Sequence, residues 1–423
     1  MAQLSDDCFA FSGPLMPVDA VDRLLLERVV SVSETEAVDL SGACGRVTAG
    51  DIIATVDLPP FDNSAVDGFA VRHADLEPSA ETRLTIIDQV MAGHPAERAL
   101  ARGEAVRIFT GAPMPHGADT VFMQEDCRAE VGVVVVPAGL KAGANRRLAG
   151  EDIRSGTVAL PAGRRLAPQH LALAAAIGLT EITVRRRVRV ALFSTGDEIV
   201  EPGLPLPAAA LYDSNRRLLA AMLARLGAEV TDLGILPDRP DSLVVAIGDA
   251  AQRHDLVLTS GGVSTGEADH VRHAVEKVGR LVFWRIAIKP GRPVAMGVIP
   301  ASGAGSGAAF VGLPGNPVAV FVTFARVVRP LVLRLAGAIP EPLVALPVRA
   351  SFSYRKKKGR REYVRVALAQ APDGGIVANK YPREGAGVIT SLTETDGLAE
   401  LTEDVTMVEP GATIGFLPYA VLT

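Results

Sequence analysis

The stretch Leu256-Val257-Leu258-Thr259-Ser260-Gly261-Gly262-Val263-Ser264-Thr265-Gly266-Glu267-Ala268-Asp269 decides how the chain is read. It opens as a short apolar run of the kind that fills a strand buried on both faces of a parallel sheet. Gly261 and Gly262 break the run, and Val271, Ala274, Val275 and Val278 then follow at helical spacing. The unit is therefore strand, glycine loop, helix. Paired glycines allow a positive φ and a close approach of backbone to a ligand. Ser260, Ser264 and Thr265 supply hydroxyls, and the start of the helix leaves N–H groups unpaired. These are means of holding a phosphate. Glu267 and Asp269 stand in the first turn, where a carboxylate repels bare phosphate unless a divalent cation bridges the two. A metal-assisted phosphate site and a tight turn whose acids complement the helix dipole both satisfy this loop taken alone. No Gly-Lys-Ser/Thr follows, so it is not a Walker A loop.

Working outward, Val188 to Leu335 alternates apolar strands with helical patterns. The strands are Val188 to Phe193, Glu229 to Leu233, Leu256 to Thr259, Leu281 to Phe283 and Ala309 to Leu313. Asp213-Ser214-Asn215 and Asp241-Ser242 cap helix starts, and Gly227 stops the first of those helices. The expected fold is a doubly wound parallel sheet, whose ligand lies beyond the carboxyl ends of the strands. The residues that follow the strands are Ser194-Thr195-Gly196-Asp197-Glu198, Pro237-Asp238, Ser260 to Asp269, Ile288-Lys289-Pro290-Gly291-Arg292-Pro293 and Leu313-Pro314-Gly315-Asn316-Pro317. A single acid on such a rim is usually a helix cap. A convergent set of acids with two cations points to function, because carboxylates suit Mg²⁺ while Lys289 and Arg292 suit an oxyanion.

Before this domain, Val18, Val21, Leu25, Leu26 and Val29 share one face of an amphipathic helix behind Pro17. From Asp51 to about Asn145 the pattern changes to short β-branched runs, Leu84 to Val90, Ala105 to Phe109, Thr120 to Met123 and Val131 to Val136, which predict a β-rich domain. Within it, Leu58 to Val71 is too polar for a simple strand. Spacing alone favours turns built by Asp62, Asn63, Ser64 and Asp67 on their own backbone. Thr110-Gly111-Ala112-Pro113-Met114-Pro115 carries a hydroxyl able to donate to an anion. An Ala/Leu-rich helix, Pro168 to Ile177, ends at Gly178, and the chain is expected to return here to the N-terminal helix. The resulting domains are 1–50 with 146–187 (helical, discontinuous), 51–145 (inserted, β-rich), 188–338 (α/β) and 339–423. The last is expected to be a small β-barrel of strands Leu343 to Phe352, Tyr363 to Ala369, Gly375 to Ala378, Val405 to Val408 and Thr413 to Leu417. Ala304 to Gly307 reads as a loop insertion without function.

Composition narrows the function. The 423 residues are 48% apolar but only 4% aromatic, with a net charge of −5, which gives few rings for stacking bases and no basic surplus for phosphates. Nucleic acid is not an expected partner. The run Arg355-Lys356-Lys357-Lys358-Gly359-Arg360-Arg361 reads as a solvated hairpin tip, with Arg360 and Arg361 near enough to a strand to face an anion. Cys8, Cys44 and Cys127 are widely spaced and form no zinc motif, consistent with a reducing compartment. No apolar run reaches the ~18 residues of a membrane span, and the acidic N-terminus lacks signal-peptide form, so a cytoplasmic protein is expected.

Phe61-Asp62-Asn63-Ser64-Ala65-Val66-Asp67-Gly68-Phe69-Ala70-Val71, Thr110-Gly111-Ala112-Pro113, Ser194 to Glu198, Tyr212-Asp213-Ser214-Asn215, Ser260 to Asp269, Ile288 to Pro293 and Gly312 to Pro317 occur together in one order. In this the chain resembles the molybdopterin molybdenumtransferases, the MoeA-type enzymes related to the C-terminal domain of gephyrin. The resemblance implies four domains, a homodimer, and Mg²⁺-dependent transfer of molybdate to adenylylated molybdopterin with release of AMP. By motif position, functional acids fall on Asp67, Glu198, Asp238 and Asp269, a lysine on Lys289 and hydroxyls on Thr110 and Ser391. Glu198, Asp238 and Asp269 are the implied metal ligands. Ser260, Gly261, Gly262, Ser264, Arg292, Pro314, Asn316, Arg360 and Ser391 are the implied substrate contacts. The resemblance also overturns the turn reading of Asp67, whose loop would reach the other protomer's site. A molybdopterin adenylyltransferase would be a partner, as would molybdoenzyme maturation factors. Arg285 stands where many members have lysine, and Gly385 to Ser391 is a looser match. The alternatives are adenylyl transfer from ATP to molybdopterin, against which the β domain argues, and a non-catalytic scaffold of the same fold. Tungstate, of equal charge and nearly equal size, is not separable from molybdate by sequence.

Overall fold

The computed structural model describes residues 15–262, 270–301 and 307–423. Its centre is a six-stranded sheet in the order Glu229–Leu236, Arg189–Thr195, Leu256–Ser260, Ala308–Leu313, Pro293–Ile299, Arg280–Arg285. The first four strands are parallel. Alternate side chains go to opposite faces, as the period of a strand requires. Val190, Leu192, Leu256, Leu258 and Val311 pack with Leu219, Met222 and Leu223 of helix Ser214–Arg225. Ala191, Phe193, Val257 and Phe310 pack on the other side with Leu243 and Ile247 of helix Pro240–Ala251 and with Val271, Ala274 and Val275 of helix His270–Val278.

The sheet departs from the expected all-parallel form at one edge, where Pro293–Ile299 runs antiparallel to both neighbours. That strand is hidden in the sequence behind a turn-like Pro-Gly-Arg-Pro. Its leading Pro293 is tolerated because the first residue of a strand can do without its N–H. Two reversals restore direction, so Arg280–Arg285 ends on the same rim as the parallel strands, and the loop carrying Lys289 still emerges there. The helix after strand Glu229–Leu236 begins at Pro240 with Arg239 as its N-cap, which places Asp241 in the first turn rather than at the cap.

The β-rich unit is a second six-stranded sheet, in the order Thr120–Met123, Gly68–Val71, Glu104–Ile108, Thr82–Val90, Val133–Val136, Arg128–Glu130. The last four residues of the polar stretch 58–71, Gly68–Val71, are thus an interior strand of that sheet. Gly68 permits it, since a Cβ there would lie 1.7 Å from the Phe122 carbonyl oxygen. Strand Thr35–Asp39 pairs with Glu181–Arg185 and Ile52–Ile53 with Val158–Leu160, so two separated pieces of chain share the core of Leu160, Leu166, Ala174, Ile182 and Val184. Helix Val18–Arg28 lies elsewhere. Its Val18, Val21 and Leu25 join Leu331 and Leu335 in the central core, not the helix Pro168–Ala176 that the sequence reading paired with it. An apolar stripe shows that a helix face is buried, not by what.

The C-terminal strands Arg361–Gln370, Ile376–Lys380, Leu346–Ala350, Thr413–Pro418 and Gly397–Leu401 close into a five-stranded barrel. The closing strand Gly397–Leu401 was not predicted, and Met407–Val408, expected in its place, pairs only with Tyr354–Arg355. Ile288–Lys289, from the central domain's rim, adds to the barrel in parallel, Ile288 opposite Arg361 and Lys289 opposite Glu362. No helix among the described residues is long and apolar enough to cross a membrane.

Leu258 is fully buried between Leu192 and Val311, with little room for the neighbours to collapse. Leu258→Ala is expected to cost the central domain about 2–5 kcal/mol. Val245→Ala, on the exposed face of helix Pro240–Ala251, should change stability by less than about 0.5 kcal/mol. Urea unfolding followed by fluorescence of Trp284, the single tryptophan, checks both.

Candidate active site

Two neighbouring surfaces at the carboxyl rim of the central sheet make up the site. The first is a crevice at the ends of Arg189–Thr195 and Leu256–Ser260. Ser260 Oγ accepts from Asn215 Nδ2 at 2.9 Å, and Asn215 Nδ2 also donates to the Gly315 carbonyl at 2.7 Å. Asn215 is placed by the helix start, where the Asp213 carboxylate accepts from the Arg216 N–H at 3.1 Å. Arg216 is itself held by Asp213, Asp232 and Glu201, which ties the preceding loop to the sheet.

Gly261 and Gly262 take φ of +90° and +66°, as the sequence reading required. Their close approach is to Thr195 and Val271: a Cβ on Gly261 would lie 2.4 Å from the Thr195 carbonyl oxygen, and one on Gly262 2.5 Å from a Val271 methyl and 2.8 Å from the Thr195 methyl. The glycines therefore pack two strand ends together and shape the crevice floor. Around that floor Ser194 Oγ, Thr195 Oγ1, Thr259 Oγ1, Asn215 Oδ1 and Asp238 Oδ1 are buried with no hydrogen-bond partner among the described residues. A buried polar atom left unpaired costs about 1–3 kcal/mol, so this many in one place mark the seat of a polar ligand. Glu198 is exposed on the loop beyond Gly196. Ser264 and Asp269 lie outside the described residues. Among the described residues no three His, Cys, Asp or Glu side chains gather closely enough to hold a metal ion.

The second surface is a pocket of about 330 Å³ between the rim and the barrel. Pro314 and Asn316 line it, which joins it to the crevice, where Ser260 Oγ donates to the Pro314 carbonyl at 3.4 Å. The β-pairing of Lys289 with Glu362 brings in the charge. Lys289 Nζ donates to Tyr354 OH at 3.0 Å and to Glu362 Oε2 at 3.1 Å, Tyr354 OH donates to the same oxygen at 2.8 Å, and Arg360 Nε donates to Oε1 at 2.7 Å. Glu362 is 1% exposed. Burial is the largest influence on it and raises its pKa, but the bonds from Tyr354, Arg360 and Lys289 together outweigh burial and leave the carboxyl below the usual range. Burial likewise pulls Lys289 down, and its bonds to Tyr354 and Glu362 raise it above the ordinary lysine value. Arg365, Lys380 and Arg383 complete the cationic lining.

The residues proposed from sequence distribute unevenly over these surfaces. Lys289, Pro314 and Asn316 line the pocket, and Ser260, Gly261 and Gly262 form the crevice. Arg292 is exposed and outside the pocket lining, and Arg360 turns to Glu362. Ser391 is fully buried, accepts from Arg365 Nε at 3.0 Å and donates to the Val388 carbonyl, so it holds Arg365 rather than facing the pocket. Sequence reading missed Arg365, Tyr354, Lys380 and Glu362. A usable signal existed in Arg361-Glu362-Tyr363-Val364-Arg365, where charges recur inside an otherwise apolar strand. The basic run is not a free patch: Lys356 Nζ donates to the Val405 carbonyl at 2.7 Å, and Arg361 pairs with Glu403, Glu400 and Asp19.

Asp67 and Thr110 sit together in the β domain. Asp67 Oδ1 accepts from both the N–H and the hydroxyl of Thr110, each at 2.7 Å, and these two bonds lower the Asp67 pKa. Asp67 thus bonds across the sheet and not to its own turn, while Ser64 does bond locally, to Val66. The Gly111 N–H donates to the Ser64 carbonyl at 2.8 Å and the Ser64 N–H to the Ala112 carbonyl at 3.0 Å, which fixes the pair's geometry. No hydrogen bond or ion pair among the described residues links this loop to the central crevice of the same chain.

Comparison with known proteins identifies the family. The family described as "MoeA N-terminal region (domain I and II)" matches residues 16–178, "Probable molybdopterin binding domain" matches 191–334, and "MoeA C-terminal region (domain IV)" matches 347–419. A protein of Haemophilus influenzae named molybdopterin molybdenumtransferase is 37% identical over 96% of this chain and 99% of its own length. One of the same name from Nostoc is 37% identical over 92% of this chain and 89% of its own. The crystal structure of a molybdopterin biosynthesis protein, moeA, from Pyrococcus horikoshii superposes with a TM-score of 0.79 at 28% identity, over 96% of this chain and all of that one. With its fold, its motifs and nearly its whole length in agreement, the chain belongs to the molybdopterin molybdenumtransferase family, enzymes of molybdenum cofactor biosynthesis.

Proposed function

We propose that this enzyme transfers molybdate to adenylylated molybdopterin and releases AMP, with the nucleotide-bearing pterin in the sheet crevice and molybdate in the pocket beside it. The observation that carries the reading is the continuity of the two surfaces through Pro314 and Asn316. Unpaired buried hydroxyl and amide groups on one side suit a polar organic phosphate. Lys289, Arg365, Lys380 and Arg383 on the other suit a tetrahedral dianion.

The chain's own groups account for binding and orientation. Ser194, Thr195, Thr259 and Asn215 gain partners when the pterin phosphate enters. Arg365 is 8% exposed, held at its Nε by Ser391 and at a terminal nitrogen by the Arg383 and Gly385 carbonyls. Its guanidinium is thus aimed in advance, so little side-chain entropy is lost on binding. Burial lowers its pKa, but an arginine stays charged. The oxygen-only donor set fits Mg²⁺, since Asp238 keeps one buried carboxylate oxygen unpaired at the crevice. Asp238 and Glu198, with Asp269, would hold the ion, which supplies neutralisation of anhydride charge when bound.

The Asp67–Thr110 pair, unconnected to its own crevice, is proposed to serve the crevice of a second copy in a homodimer. Its carboxylate, kept ionised by Thr110, would orient a proton-bearing group there. The same reading places the protein in the cytoplasm, receiving substrate from an adenylyltransferase and passing product to molybdoenzyme maturation factors.

Four outcomes are expected. Purified protein given adenylylated molybdopterin, Mg²⁺ and molybdate releases AMP, measured by chromatography. Asp238→Asn and Lys289→Met each lower the rate by about 100-fold or more. ATP consumption with free molybdopterin, in place of AMP release, would sink the assignment. Ser391→Ala frees Arg365 and raises the molybdate KM several-fold with a smaller change in kcat, read from initial rates. Thr110→Val removes a bond that lowers the Asp67 pKa, so that pKa rises. Because the active form is the charged one, the acid limb of the pH–rate profile moves to higher pH.

A further inference from the structure

The cationic pocket also carries an acid. Glu384 lines it, and its Oε1 accepts from Lys380 Nζ at 2.7 Å. Lys289 and Lys380 both approach the Tyr354 ring, with Nζ 5.6 and 5.9 Å from its centroid. Each is matched to a carboxylate, but the two carboxylates differ. Glu362 is buried and bonded to Tyr354, Arg360 and Lys289, so it cannot leave without exposing an unpaired charge. Glu384 has a side chain 65% exposed, against 20% for Lys380, and stands next to Gly385, which takes φ +119°. Its bond from Lys380 lowers its pKa, as do, more weakly, Lys289 and Arg365, so it is charged at neutral pH. An ionised carboxylate and a dianion cannot both occupy so small a cationic pocket without strong repulsion.

We propose that Glu384 is a built-in counter-ion of the oxyanion pocket, bound to Lys380 until a dianion displaces it toward solvent and takes over the lysine. This deepens the reading that the pocket takes molybdate and rests on it. The exposed ion pair is cheap to break, so a dianion that also meets Lys289 and Arg365 can break it. A singly charged anion has half the attraction and competes poorly. Glu384 therefore sets a charge threshold on what enters the pocket.

Calorimetric titration of sodium molybdate into the full-length protein tests this with Glu384→Gln, Lys380→Met and the double variant. Glu384→Gln keeps the size and hydrogen-bonding capacity of the side chain. It is expected to bind molybdate about two- to five-fold more tightly than wild type, the worth of an exposed ion pair. Lys380→Met is expected to bind more weakly, and adding Glu384→Gln to it should give no gain. Sodium chloride at equal ionic strength should compete with molybdate more effectively in Glu384→Gln than in wild type. Equal or weaker molybdate binding by Glu384→Gln, or an undiminished gain in the Lys380→Met background, would overturn the proposal while leaving the pocket assignment intact. If wild type binds no molybdate, or if Lys289→Met binds it as tightly as wild type does, the pocket assignment itself fails.

Discussion

A single buried carboxylate joins the halves of this enzyme's site. Glu362 is the second residue of the long barrel strand, and the short segment Ile288–Lys289 from the central domain's rim lies alongside it in parallel register. That register places Lys289 over Glu362, and Tyr354 and Arg360 close around the same two oxygens. Burying a carboxylate is costly unless its lone pairs are met. Here three donors meet them, so the interaction contributes less to net stability than to specificity: only one approach of rim loop to barrel satisfies every group. The pocket exists because of that approach.

Charge is sorted between the two surfaces. The crevice presents neutral donors and acceptors with acids at its lip, whereas the pocket concentrates lysine and arginine. Where these groups are partly buried they act at a lower effective dielectric than in water, and those held by protein partners, such as Arg365, are positioned before a ligand arrives. Glu384 is the exception to the sorting. Its exposure, set against the burial of Glu362, is what makes it the carboxylate proposed to yield to a dianion.

The inserted β domain shows a different economy. Gly68 lets a strand sit against the Phe122 carbonyl, and that strand presents Asp67 at its entrance to Thr110 from the next loop. The geometry is locked within the domain by the backbone bonds of Ser64 to Gly111 and Ala112. A rigid pair carried on a separate domain can be offered to a second chain without disturbing the crevice of its own.

The periodicity of Val188 to Leu335 and the apolar run at Leu256 were sufficient to place a wound sheet and its carboxyl rim, because strand burial writes itself as continuous hydrophobicity. The motif order was sufficient to place the family. Several things were not legible. Pro293–Ile299 hid behind turn residues, and Gly397–Leu401 is a strand only because a barrel must close on itself. Arg365, Tyr354 and Lys380 meet Lys289 only after the barrel docks, since they lie more than sixty residues away along the chain. Ser391 and Arg360 carry suitable chemistry but point at protein partners, and nothing local in their sequence decides that orientation. The sequence by itself determined the elements, the rim and the kinds of groups available there, for these follow from local pattern and residue chemistry. Which groups converge on one volume was decided by tertiary structure alone, because register and docking between distant segments depend on satisfying buried charge and surface across the whole fold.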